Sequence, residues 1–96
     1  MTDQDPYTLP PKRTQQDIDA LVAFIRCRVE SLRDTARSNT EEYRVSQALL
    51  DITAYILGTA QAVIERGDNP GSQYGSLAVV ARRWDRHPDF QPAWSE

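Results

Sequence analysis

The fold of this chain is decided by residues 41–67, which read EEYRVSQALLDITAYILGTAQAVIERG. Apolar residues recur here at spacings of three and four, the period of an α-helix. They fall on two stripes that lie about 100° apart around the helix axis. The first stripe is Val45, Leu49, Ile52, Ile56, Thr59 and Val63, and the second is Leu50, Thr53, Leu57, Ala60 and Ile64. A helix that is apolar over so wide an arc is predicted to be central and covered on more than one side.

Sequence signals for helix capping mark both ends of this central helix. Asn39 is followed three positions later by Glu42, which resembles a capping box and predicts an N-cap at Asn39. Gly67 can adopt the left-handed conformation that closes a helix, and residues 68–71, DNPG, prevent its continuation. The helix is therefore expected to end at Arg66.

A first helix precedes it and is predicted to begin after Thr14, whose hydroxyl can cap free backbone N–H groups. Its apolar residues keep to one face: Ile18, Leu21, Val22, Ile25, Val29, Leu32 and Ala36. We expect this face to cover the first stripe of the central helix. Cys27 lies on the opposite side of the helix and is predicted to be accessible.

A short third helix is predicted over residues 74–86, with Leu77, Val80, Ala81 and Trp84 on its buried face. Phe90 and Trp94 follow, and because large aromatic side chains are unfavourable in water, this tail is expected to fold back on the helices. The predicted fold is all-α: a small helical bundle of two long antiparallel helices plus a short third helix and a packed aromatic C-terminal tail. Residues 1–13 are predicted to form a flexible N-terminal arm and residues 14–96 a single helical domain.

The net charge, the cysteine count and the apolar content of the chain argue against several classes of function. The 96 residues carry 11 Lys and Arg against 14 Asp and Glu, a net charge of -3, which makes nucleic acid an unlikely partner. The single cysteine excludes an intrachain disulfide and is typical of a reducing compartment. No run of apolar residues approaches the ~20 that span a bilayer, so no membrane association is expected and a cytoplasmic location is predicted.

No catalytic or cofactor-binding arrangement can be built from the sequence. His87 is the one histidine and has no nucleophile or base at a useful spacing. Gly67, Gly71 and Gly75 do not form a phosphate-binding loop. We expect neither an enzyme nor a metal or cofactor site, and predict a non-enzymatic protein-interaction or regulatory module.

The second stripe supplies a candidate partner or dimer seam, because Leu50, Leu57 and Ile64 recur every seven residues. If the first helix covers the first stripe, this seam is left for a second copy of the chain, which would give a homodimer. The alternative is a monomer in which the third helix and the tail together cover the seam.

One basic cluster forms a candidate surface site: Arg82, Arg83, Trp84, Arg86 and His87. Cations are favoured at a helix C-terminus, so a solvated helix end explains this cluster. The alternative is nucleic-acid binding through Arg82, Arg83 and Arg86, with Trp84 as a stacking platform.

Residues 87–89, His-Pro-Asp, follow an arginine-rich helix and resemble the loop with which J-domain co-chaperones stimulate a heat-shock chaperone ATPase. In that family an aromatic residue directly precedes the histidine and a further helix follows, whereas here Asp85 and Arg86 stand between Trp84 and His87. The resemblance implies co-chaperone activity as an alternative function.

A second resemblance covers both ends of the chain. Residues 21–28, LVAFIRCR, and residues 87–94, HPDFQPAW, resemble the opening and closing motifs of small uncharacterised helical proteins from actinobacteria and their phages. The middle of this chain lacks the basic, histidine-containing segment that is frequent in that family. The resemblance implies an accessory protein of phage or mobile-element origin and no particular activity.

Overall fold

The computed structural model describes residues 12–95, which fold into three α-helices. They are α1 (Gln15–Thr35), α2 (Glu41–Glu65) and α3 (Gly71–Ala81), followed by two short 3-10 turns, Arg82–Trp84 and Pro92–Ser95. The described residues contain no strand. The predicted all-α bundle of two long helices and a short third one is confirmed, while residues 1–11 of the predicted arm lie outside the described part.

Reciprocal capping fixes the start of α1. The Thr14 hydroxyl accepts the N–H of Asp17 at 3.1 Å, and the Asp17 carboxylate accepts the N–H of Thr14 at 2.8 Å. Together these bonds satisfy two of the donors that a helix start leaves without intrahelical partners. The predicted cap at Thr14 is confirmed.

The start of α2 differs from the prediction by one residue. Thr40 is the N-cap, and its hydroxyl accepts the N–H of Tyr43 at 3.2 Å. The predicted cap at Asn39 is wrong, because Asn39 has a φ of 72° and an N-cap needs extended backbone. Asparagine tolerates the left-handed region, so Asn39 makes the turn and the next residue caps the helix. At the other end Gly67, with a φ of 82°, closes α2 as predicted.

A line of small residues forms the buried face of α2. Ser46, Thr53 and Ala60 recur every seven residues and are the buried positions of this helix. The two hydroxyls donate to carbonyl oxygens of their own helix, Glu42 and Leu49, so no polar atom is left without a partner. Short side chains allow two helices to approach closely, and this line is therefore where the core meets α2.

This packing corrects the expected pairing of helix faces. Leu50 and Leu57 of the second stripe share a groove with Val22 and Arg33 of α1. Ile56 and Thr59 of the first stripe instead border α3. The expectation that α1 covers the first stripe is wrong, because two of the three buried small residues, Thr53 and Ala60, belong to the second stripe.

Helix α3 is shorter than predicted and begins after the buried Pro70. Leu77 and Ala81 are buried as expected, Val80 and Trp84 are half-buried, and Tyr74 and Ala78 join the core. The α-helix ends at Ala81, five residues before the predicted end at Arg86, and the chain continues as a 3-10 turn.

The C-terminal tail folds back on α1, as predicted. Trp94 is 3% exposed, and its ring centroid lies 5.1 Å from that of Phe24. Phe90 packs edge-on against both rings, at 6.0 Å from Phe24 and 5.3 Å from Trp94. Helix α1 is thus covered on a second side, around Phe24, that its apolar stripe did not indicate.

Candidate interaction surface

An uncharged line of residues runs along the outer face of α2, and we call it the α2 seam. Its members are Val45, Ala48, Ile52, Tyr55, Thr59 and Ala62. They alternate at spacings of three and four, which is the pattern that packs along another helix. Thr59 is half-buried and the other five are exposed, with Ile52 at 55% and Tyr55 at 72%.

The seam is open because α3 is short. Ser72 and Ser76 of α3 lie beside Tyr55, Ile56 and Thr59, so α3 turns back along the C-terminal half of α2. An eleven-residue helix extends about 16 Å, against about 37 Å for the 25 residues of α2. Helix α3 therefore does not extend along the N-terminal half of the seam.

A groove continues the seam between α1 and α2 where the two helices connect. Its volume is about 640 Å³, and Leu32, Ala36 and Val45 are among its lining residues. Leu32 and Val45 are each 51% exposed. Arg37, Glu41 and Glu42 also line this groove, so it combines apolar and charged side chains, as protein interfaces do.

The seam predicted from the sequence lies elsewhere on α2. Leu50, Leu57 and Ile64 are half-buried, and Leu50 and Leu57 pack against the core. The Arg26–Glu30 pair of α1 lines the same groove as these two leucines. The predicted seam thus lies on a different face of α2 from the α2 seam, and its role as a partner or dimer surface stays a prediction.

His87 is held against α1. Its ring centroid lies 5.6 Å from that of Phe24 in an edge-on contact, and the Arg28 side chain contacts the ring nitrogens. The N–H of Asp89 donates to Nδ1 at 3.0 Å. In the His-Pro-Asp motif the histidine thus anchors the tail, while Pro88 and Asp89 are exposed. Co-chaperone activity stays a prediction.

The basic cluster is divided between structural and exposed residues. The Nε–H of Arg82 donates to the main-chain oxygen of Trp94 at 2.8 Å, and Trp84 packs against the core. Arg83 and Arg86 are exposed. The structure thus brings together only part of the surface that nucleic-acid binding would use, and that function too stays a prediction.

Cys27 is exposed, as predicted. Among residues 12–95, no three His, Cys, Asp or Glu side chains are grouped in a way that could hold a metal ion.

By length and composition alone α2 is also apolar enough to cross a membrane, although Arg44 and Asp51 interrupt its apolar residues. Only 11% of its most apolar 18 residues is buried inside the structure. Other apolar residues of α2 are half-buried, and Leu49, Leu50, Ile56 and Leu57 pack against the core.

Fold and surface define a small helical bundle with an incompletely covered central helix. The chain matches no protein-family model, and no curated protein or solved structure is similar to it.

Proposed function

We propose that the chain is a non-enzymatic protein-interaction module that binds an apolar helix of a partner along the α2 seam. The observation that carries the proposal is the seam itself, since five uncharged residues spaced as for helix packing are exposed on one face. Large exposed apolar patches on soluble proteins mark sites of association.

A helical partner fits this surface better than a bilayer does. Asp51 lies near the middle of α2 and is exposed, and so is Arg44, the residue just before the seam. A charge at the centre of a membrane-spanning helix costs about 2.5–3.5 kcal/mol. Beside a helical partner both charges can stay at the rim in water, which is where protein interfaces place them.

The resemblance to small actinobacterial and phage proteins suggests the setting, and we propose an accessory protein of phage or mobile-element origin. Co-chaperone activity and nucleic-acid binding are the alternatives. Stimulation of a heat-shock chaperone ATPase that is lost in His87→Gln would favour the first. DNA binding that weakens with salt and with Arg83→Ala would favour the second.

Affinity purification followed by quantitative mass spectrometry tests the proposal with three baits: the native chain, Ile52→Glu and Gln61→Glu. Both variants add one negative charge at an exposed position of α2, but only Ile52 lies on the seam. We expect the proteins captured by the native chain to be retained by Gln61→Glu and lost with Ile52→Glu. Equal capture by all three baits would show that the seam is not the binding surface.

A further inference from the structure

We propose that the partner helix is α2 of a second copy, packed antiparallel along the α2 seam about a two-fold axis between Ile52 and Tyr55. This inference rests on the proposed function and specifies the partner. Symmetric pairing of one surface with itself is the commonest way in which soluble chains assemble.

The seam is self-complementary in this register. Antiparallel pairing places Ile52 opposite Tyr55 of the second copy, Ala48 opposite Thr59, and Val45 opposite Ala62. The two largest side chains, Ile52 and Tyr55, meet at the axis, and the small residues follow on either side. In this register all six seam residues have a partner on the second copy. If one helix is shifted along the other by seven residues, at least two of the six are left without a partner.

Charges at the ends of the seam fit the same register. Arg44 comes just before Val45 and Glu65 just after Ile64, and in the antiparallel arrangement Arg44 of each copy flanks Glu65 of the other. The two-fold symmetry of the dimer forms this Arg44–Glu65 contact twice. In the single chain Arg44 pairs with Glu41 at 3.2 Å in an exposed contact, and such pairs contribute little, so exchanging partners is inexpensive.

Gly58 is explained by the same pairing. Glycine is unfavourable in the interior of a helix, and a Cβ added at Gly58 would meet nothing within 4 Å in the single chain. In the proposed dimer Gly58 flanks Asp51 of the second copy. The missing side chain leaves that carboxylate in contact with water at the edge of the interface, which avoids burying an unpaired charge.

The second copy also covers the half of α2 that α3 cannot reach. Helix α3 lies beside Tyr55 and Thr59, in the C-terminal half of its own seam. In the antiparallel dimer, the two-fold axis therefore places α3 of the second copy beside the N-terminal half of the first copy's seam. It thereby approaches Ile52 and Ala48 of the first copy, both of which are exposed in the single chain. Val79, 56% exposed on the same line of α3 as Ser72 and Ser76, is placed to contact this region.

Sedimentation equilibrium across the micromolar range tests the dimer with the native chain, Ile52→Glu and Gln61→Glu. We expect a dimer for the native chain and for Gln61→Glu, and at least about 100-fold weaker association for Ile52→Glu, because it brings an unpaired charge into the interface. Ile52 is already exposed in the single chain, so the variant should keep its helical circular dichroism. A native chain that is monomeric at all these concentrations would overturn the dimer.

Disulfide trapping tests the register in a Cys27→Ser background. Val45→Cys and Ala62→Cys chains are mixed and oxidised, and the antiparallel arrangement predicts that the mixed disulfide forms in preference to both self-pairs. Preferential self-pairing of Val45→Cys would overturn the register.

The affinity purification separates failure of the dimer from failure of the interaction module. A monomeric native chain that captures another protein, and loses it with Ile52→Glu, would overturn the dimer and leave the proposed function standing. A monomeric chain whose capture is the same for all baits would overturn both.

Discussion

Arg82 donates its Nε–H to the main-chain carbonyl oxygen of Trp94 over 2.8 Å, and this bond joins the end of α3 to the C-terminal tail. Trp94 then lies against Phe24 in the middle of α1. The tail therefore behaves as a fourth packing element, although it contains only a 3-10 turn. Its contribution to stability can be measured separately from the surface to which we assign binding.

Trp94→Ala is expected to destabilise the chain by about 3 kcal/mol, since truncation of a buried aromatic residue removes apolar contacts and leaves a cavity. Chemical denaturation monitored by circular dichroism measures the change. Gln91→Ala, in the same tail but exposed, is the matched control and should change stability by less than about 0.5 kcal/mol. Equal stability of the native chain and Trp94→Ala would mean that the tail is not packed in solution.

Arg82→Ala should cost about 1–3 kcal/mol, because it removes a charged donor and leaves the Trp94 carbonyl without this bond. The neighbouring Arg83→Ala, which alters an exposed side chain, should lie within about 0.5 kcal/mol of the native value. Thermal unfolding of the two variants side by side makes the comparison. The reverse order would contradict the role of Arg82 as a tail anchor.

Thr40→Ala should destabilise the chain by about 1 kcal/mol through loss of the bond to the N–H of Tyr43. Asn39→Gly should be neutral within about 0.5 kcal/mol, since glycine adopts a positive φ without steric cost. Unfolding free energies of the two variants distinguish the cap from the turn. A larger loss for Asn39→Gly would restore Asn39 as the capping residue.

Gly67→Ala and Gly75→Ala should change the stability of the fold in opposite directions. Gly67 has a φ of 82°, where alanine is strained by about 1–2 kcal/mol, so this variant is expected to be less stable. Gly75 lies inside α3 with nothing within 4 Å of an added Cβ, and alanine there should stabilise by about 0.5–1 kcal/mol. Melting temperatures that move in the same direction would contradict one of the two assignments.

Cys27 should react with a thiol reagent in the folded chain about as fast as in denaturant, because it is exposed on α1. The reaction is followed by absorbance under native conditions, with the unfolded chain as reference. The α2 seam lies on a different helix, so Ile52→Glu should leave the rate unchanged. Reaction only after unfolding would show that a further element covers this side of α1.

The sequence by itself determined the local features of this protein. Helical periodicity, the cap at Thr14 and the stop at Gly67 depend on neighbours within one or two turns, and each could be derived from residue types and spacing. The fold class and the folding back of Trp94 followed from the same information, because the tail has few other ways to bury its aromatic groups.

Only the tertiary structure decided which faces pair. The sequence predicted that α1 covers the first stripe of α2, whereas the buried positions of α2 are the small residues Ser46, Thr53 and Ala60. The exposed seam from Val45 to Ala62 could not be derived from the sequence, because its exposure is set by the length of α3 and by where that helix lies. Local patterns fix which elements form, while the surface left open depends on how distant elements fill the space between them.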